Sequence, residues 1–285
     1  MSFPKQKPPH NVRVLREWVR EYADSTDQVV GRVTRAISFM LVTLALERAW
    51  AEDESPLFLV KGGVSMELRL NLQARTTKDL DIVFRGRFDE WLEVLDDALD
   101  SDVGDLSFSR SEPAAIPDSR AYRVDVAIDL KGKRWGQVQL EVAPAEAAGV
   151  IDIDEVEPFD VGQFGLPRPG QVKIVGLPYL IAQKLHACTD PPDEGKENRR
   201  VHDLMDLLLA RSLLDPGDLE RVHEACLAIF AGRETHNWPP ALVVYPSWPA
   251  TFAKLAAEES SPIDDVEQAA NLVREFVVEI DQATR

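Results

Sequence analysis

In the stretch TTKDLDIVF, residues 76–84, two aspartates stand two positions apart, Asp79 and Asp81. In a β-strand such residues point to the same face, with Leu80 and Ile82 packing behind. Two carboxylates side by side repel unless a cation lies between them. Oxygen donors of this kind suit Mg²⁺, which bridges a few carboxylates to substrate phosphates. Upstream stands KGGVSMELR, residues 61–69. Gly62 and Gly63 permit close backbone approach, and a helix starting there offers free N–H groups to an anion. Lys61 and the Ser65 hydroxyl stand beside them. Alone, each half also fits a solvated strand end or an ordinary glycine turn. In this order they describe a metal–triphosphate site.

A two-metal centre wants a third carboxylate. Glu141, on the polar face of QVQLEVAP (137–144), is the candidate, and Asp125 and Asp129 in YRVDVAIDL (122–130) are its rivals. Further on, Lys184 falls inside the apolar stripe Leu177, Ile181, Leu185, Cys188. A desolvated ammonium needs a carboxylate or a phosphate. Asp206 interrupts the apolar run 204–210 in the same way, and Asp203 stands one turn before it. Two accounts stay open: a buried Lys–Asp pair joining two helices, or a lysine reaching nucleotide phosphates and oriented by an aspartate. His186 and His202 read as helix-face residues rather than ligands, and no His/Cys cluster has zinc spacing.

The elements that must position these groups follow from periodicity. Asn11 can cap a helix carrying Val12, Leu15, Val19 and Tyr22. A largely buried helix is expected over 28–51, then a strand at 57–60, a short helix at 64–71, a strand through TKDLDIVF and an amphipathic helix at 88–99. Residues 101–120 read as a loop with one short strand. Two alternating strands, 122–130 and 137–144, form a hairpin about KGKRWG. Helices are expected at 178–189, 199–213, 217–231 and 264–281, with Trp238 and Trp248 as packing anchors in an irregular segment. The fold class is therefore α+β: an N-terminal helical segment (1–55) packing on a core at 56–150, an acidic linker at 151–172, and a mainly helical C-terminal part at 173–285.

The chain has 285 residues, 45% hydrophobic and 28% charged, as in an ordinary soluble globular protein. No apolar leader opens it, and its longest uncharged stretch, 36–46, is too short to span a bilayer. Two cysteines, Cys188 and Cys226, point to free thiols and a cytoplasmic setting. A net charge of −17 works against bulk affinity for nucleic acid. The basic stretches are local: the N-terminal arm, Arg85 and Arg87, KGKRW at 131–135, and Arg199 and Arg200.

LVKGGVSMELR, RTTKDLDIVF, the YRVDVAIDLKGKRWGQVQLEV hairpin, IAQKLHA and RRVHDLMDLL together resemble the AbiEii/AbiGii-type nucleotidyltransferase toxins, most closely the mycobacterial MenT-type members. The likeness runs along nearly the whole chain. It implies a core like that of DNA polymerase β, with a mixed sheet, flanking helices and a helical C-terminal part. It implies a toxin of a type IV-like toxin–antitoxin system that uses Mg²⁺ to move a nucleoside monophosphate from an NTP, with CTP one candidate, to the 3′ CCA end of tRNA. Aminoacylation and translation would stop, and a cognate antitoxin would be the partner. Asp79 and Asp81 match the metal pair; Gly62, Gly63 and Ser65 the first motif; Lys184 the third; Asp203 and Asp206 the fourth. The first motif reads GG where many relatives have GS, and the third carboxylate, if Glu141, is a Glu where Asp is common. The resemblance also leaves room for a protein or small-molecule acceptor, or for a non-catalytic NTP-binding protein. A phosphate on Thr76 or Thr77 would add negative charge beside the metal carboxylates, an expected point of control.

Overall fold

A computed structural model describes residues 3–70, 77–100, 103–117, 119–146, 152–259 and 261–283. Along the chain these form α1 (Val12–Thr26), α2 (Val30–Leu46), β1 (Phe58–Val60), α3 (Gly62–Arg69), β2 (Asp79–Phe84), α4 (Trp91–Leu99), β3 (Leu106–Arg110), β4 (Ala114–Ala115), β5 (Tyr122–Leu130), β6 (Lys133–Pro144), β7 (Ile153–Val156) and β8 (Val172–Val175). The helices α5 (Leu177–Thr189), α6 (Val201–Arg211), α7 (Leu219–Arg233), α8 (Trp248–Glu258) and α9 (Val266–Gln282) follow. The chain divides into two compact units, Met1–Ala145 with Glu155–Ile174, and Glu146–Asp154 with Val175–Arg285.

The sheet runs β3-β5-β6-β2-β1-β8-β7, with β4 paired to β5. It is mixed: β2 is parallel to β6 and antiparallel to β1, while β1 is parallel to β8. Leu80 and Ile82 of β2 and Leu140 and Val142 of β6 are fully buried on one face. They join a core that also contains Leu15 of α1 and Ile37 and Leu41 of α2. Asn11 caps α1, accepting from Val14 N–H at 3.1 Å. The helix α2 stops at Leu46, short of the expected end at residue 51, and the segment that follows turns back so that Trp50 bridges Pro56.

The hairpin turn is tighter than the composition of KGKRWG implies. Lys131 and Gly132 both take positive φ, 52° and 71°, so two residues reverse the chain and β6 starts at Lys133. Trp135 is consequently a buried strand residue whose Nε1 donates to Ser38 Oγ at 3.1 Å. Lys131 and Arg134 pair with Asp105 and Asp129. The segment expected as a 101–120 loop contributes β3 and β4. The stretch 151–172 carries β7, and it buries Val161 and Phe164 in the core of the first unit.

In the second unit α5 packs on α6 and α7, and α6 on α8 and α9. The helix α8 begins at Trp248, with Pro249 in its first turn where a missing N–H is harmless. Trp248 is buried and its Nε1 donates to Asn198 O at 2.6 Å. Leu140 is fully buried in the middle of the sheet, so Leu140→Ala should lower unfolding free energy by about 2–5 kcal/mol, read from the urea midpoint.

Candidate active site

The register of β2 against β6 sets Asp81 opposite Glu141 and Asp79 opposite Gln139. On the far side of β6, Arg123 lies opposite Glu141 and Asp125 opposite Gln139. Paired residues share a face, so Asp79, Asp81 and Glu141 stand together, with their buried neighbours holding the strands from behind. Gln139 Nε2 donates to Asp79 Oδ1, and Arg123 Nε donates to Glu141 Oε1 at 3.1 Å. Burial and then the nearby Glu141 carboxylate hold the Asp79 carboxyl above its ordinary range, against the opposing pull of Arg123, Gln139 and Lys78. Asp125 is a strand further away. Asp129 lies past a bulge and is paired with Arg134 at 2.7 Å. Glu141 is thus the carboxylate that adjoins the pair.

The glycines meet this face from β1. Lys61 N–H donates to Asp81 O at 2.8 Å, which ties the start of α3 to β2. Gly62 has φ +63°, and a Cβ there would lie 2.0 Å from Asp81 Oδ2. Only glycine allows this approach. Gly63 packs against Thr77, which a Cβ would meet at 2.8 Å. No side chain caps α3. Ser65 differs from expectation: it is fully buried and its hydroxyl donates to Gly62 O at 2.9 Å. Its place one turn into α3 makes its own helix the nearest acceptor, so it braces the glycine turn. Thr77 is also buried, so a kinase would reach it only after it left Gly63; Thr76 lies outside the described residues.

In the second unit Lys184 of α5 donates to Asp203 Oδ1 at 2.9 Å and Asp206 Oδ2 at 2.6 Å on α6. Burial alone would push the ammonium down, but the two carboxylates outweigh it and hold it well above its usual value. Asp206 is fully buried and Lys184 and Asp203 nearly so. This is the joint between two helices, and it leaves Asp206 no exposed atom to offer a substrate.

A second cluster was not foreseen. His186, Asp190 and His236 each bring one ligand-type atom within 4.8 Å of the others. The tautomers argue against a metal there. Arg233 can only donate, and its Nη1 lies 3.2 Å from His186 Nδ1, so the proton of a neutral His186 ring sits on Nε2. From Nε2 the chain of donors runs to Thr235 Oγ1 (3.1 Å), on to His236 Nδ1 (3.0 Å), from His236 Nε2 to Thr189 Oγ1 (2.8 Å) and from there to Leu185 O (2.6 Å). Each ring nitrogen is used, while Asp190 Oδ1, 3.5 Å from His236 Nδ1, is buried with no hydrogen-bond partner among the described residues.

A profile of the AbiEii family, described as nucleotidyl transferase AbiEii toxin of type IV toxin–antitoxin systems, matches residues 44–279. The chain belongs to the AbiEii nucleotidyltransferase toxin family. No curated protein matches it. Among solved structures, MenT4, a nucleotidyltransferase toxin from Mycobacterium tuberculosis H37Rv, superposes with a TM-score of 0.56 at 16% identity, covering 94% of this chain and 97% of that one. The antibiotic-resistance factor ANT(2'')-Ia gives 0.39 at 16% identity over 70% of this chain and 92% of its own. The AbiEii member described here therefore has the polymerase-β-like nucleotidyltransferase fold in a mixed α+β setting. Among its described residues no helix is long and apolar enough to cross a membrane.

The two charged clusters predict opposite responses to neutralisation. A carboxyl held above its ordinary pKa in the fold stabilises below its unfolded value and loses that contribution as pH rises, so at pH 7 Asp79→Asn should leave stability unchanged or raise it. Lys184→Met strands two buried carboxylates and should cost about 3–5 kcal/mol. Urea denaturation of both variants checks the contrast. His186 is pushed down to about 4 from 6.5, chiefly by burial and then by Arg233. Between those values the unfolded chain binds a proton that the folded one refuses, so stability falls with acidification. His186→Gln should flatten the fall in urea midpoint between pH 7 and pH 4.5.

Proposed function

We propose that this toxin is a Mg²⁺-dependent nucleotidyltransferase that adds a nucleoside monophosphate from an NTP to the 3′ CCA end of tRNA and releases pyrophosphate. The observation that carries the catalytic part is the convergence of Asp79, Asp81 and Glu141 on one sheet face beside the open start of α3. The donor set fits the ion: hard carboxylate oxygens on a half-buried surface, with Asp79 destabilised in its charged form by its neighbours. Asp79, Asp81 and Glu141 would hold Mg²⁺, and when bound the ion supplies Lewis-acid neutralisation of phosphate charge.

The remaining work falls to the chain. Gln139 fixes the Asp79 carboxylate by its amide. Arg123 keeps Glu141 in place and offsets part of the local negative charge. The Gly62 and Gly63 amides at the start of α3, with Lys61 beside them, would receive the phosphates. Lys184, Asp203 and Asp206 enter as positioning residues that lock α5 to α6. The acceptor hydroxyl would attack the α-phosphorus in line as the bond to the pyrophosphate oxygen breaks. For the RNA backbone, Lys7, Lys133, Arg199 and Arg200 are exposed candidates, whereas Lys5, Arg87, Lys131 and Arg134 are held by acidic neighbours. Family membership implies a cognate antitoxin as the partner that silences the reaction.

Purified protein incubated with total tRNA, Mg²⁺ and each α-³²P-labelled NTP should label tRNA with one base preferred. Asp81→Asn should abolish the label, and Gln139→Leu should reduce it by about 10–100-fold, the usual effect of losing a group that orients a ligand. Label appearing on protein instead of RNA would replace the tRNA acceptor with a protein one. Pyrophosphate release absent with every NTP would overturn the enzymatic reading.

A further inference from the structure

On β5, Arg123 stands opposite Glu141 of β6 on one side and Ala114 of β4 on the other. Residues opposite one another across antiparallel strands share a face, with Cβ atoms about 5 Å apart. Ala114 offers the guanidinium no acceptor side chain, so it turns to the carboxylate. Nε, at 3.1 Å, and Nη2 both donate to the same atom, Glu141 Oε1. The other oxygen, Oε2, accepts no hydrogen bond among the described residues. The arginine thus takes one oxygen of Glu141 and leaves the second for another cation. Its side chain is half exposed, and its field reaches Asp79 and Asp125 as well as Glu141.

The sheet order sets the charged groups in a row. First comes β1, which leads into the Gly62 turn, then β2 with Asp79 and Asp81, β6 with Glu141 and β5 with Arg123. Neighbouring strands lie about 4.8 Å apart. The guanidinium therefore closes the row on the side away from Lys61 and the start of α3. Asp79, Asp81 and Glu141 bring three negative charges, and Arg123 removes one, which leaves two. Lys78 and Asp125 flank the row with one charge of each sign. Two negative charges are met by a single divalent ion. A two-metal centre holds its ions about 3.5–4 Å apart, one by the attacking oxygen and one by the leaving oxygen. A second ion here would have to settle beside a cation already bonded to Glu141. That cation does not titrate away, because a guanidinium keeps its proton in a protein.

Given the Mg²⁺-dependent reading above, on which this rests, we propose that Arg123 is the resident second cation of the site: Asp79, Asp81 and Glu141 take one divalent ion, and the guanidinium on Glu141 Oε1 stands in the place of another. Arg123 is then a positioning residue that acts through Glu141 and through its charge. Lys61 and the Gly62 and Gly63 amides neutralise the pyrophosphate side of the row, and Arg123 neutralises the acceptor side. Strand register fixes this charge in place, so it is present before any ion or nucleotide arrives.

The probe is Mn²⁺ alone, which favours the same oxygen donors and is counted by the electron paramagnetic resonance signal of the free ion. The full chain is titrated without nucleotide. The expected count is one ion per wild-type chain, two in Arg123→Gln, and one in Arg123→Lys, which keeps the charge but not the fork. A residue that only held Glu141 in place would give the same count in the Gln and Lys variants. Asp81→Asn should lose the ion, which assigns it to this face. Two ions in the wild type or in Arg123→Lys, or a single ion in Arg123→Gln, would overturn the role of Arg123 and leave the metal-dependent reading intact. No ion in any of the chains, or an ion that survives Asp81→Asn unchanged, would overturn both. Urea midpoints matching the wild type check the fold. If Arg123→Gln unfolds, Arg123→Met, which keeps the apolar stem, takes its place with the same expected count.

Discussion

Placing Asp79, Asp81 and Glu141 on one face works against the charges that result. Neighbouring carboxylates repel, and partial burial makes each charge harder to hold. The parallel pairing of β2 with β6 is what brings them together, since its register sets Asp81 opposite Glu141 on the polar face. A slip of β2 by one residue would turn Leu80 and Ile82 out of the core and bury Asp79 and Asp81. The hydrophobic side of the strands thus pins the polar side. Around that constraint the local chemistry makes sense: an arginine beside Glu141, an amide on Asp79, and a glycine where any side chain would strike Asp81.

The charged residues of the second unit obey the opposite logic. There the ammonium of Lys184 is buried between two aspartates on the next helix, and the histidine chain ends on a backbone carbonyl. The Lys184 group, mutually satisfied, holds α5 to α6 and leaves little to offer a substrate. A strained cluster of like charges gains by binding a cation; the Lys184 ammonium between Asp203 and Asp206 gains nothing from one. That difference in unmet electrostatics, rather than the mere presence of titratable residues, separates the candidate active site from the structural networks of this fold.

Much of this was legible in sequence where the period of the strand carries the information. The alternation of TKDLDIVF and of QVQLEVAP gave which residues share a face, and hence Asp79 with Asp81 and the exposure of Glu141. What alternation cannot give is which strand lies next to which. The β2–β6 pairing is made across some sixty residues, and with it come Gln139 and Arg123, an amide and a guanidinium that nothing local distinguishes from ordinary surface residues. Nor can spacing show that Ser65 bonds back to Gly62 O, since i to i−3 along a helix is the distance of a back-bonded hydroxyl as well as of a phosphate-facing one. The helix α8 hid behind its prolines, although Pro249 marks its first turn. The hairpin strand β6 was cut short because basic residues read as turn, when two residues of positive φ suffice.

The same pleat that makes the carboxylate face also makes the other one. Asp81 and Ile82 are consecutive, so the apolar face behind the sheet and the acids in front are separated by the thickness of a single strand. Proximity alone does not couple them. A ligand behind the sheet can alter the acids only if it binds one arrangement of β1 and β2 better than another, and any such effect must be reciprocal. The apolar packing at Val60 and Ile82 is tight and fully buried, which favours a stiff strand over a deformable one. A stiff strand transmits a rigid shift but not a graded one. Any communication across this sheet would therefore move Asp81 and the Lys61–Gly62 turn as a single piece, because Lys61 N–H is bonded to Asp81 O.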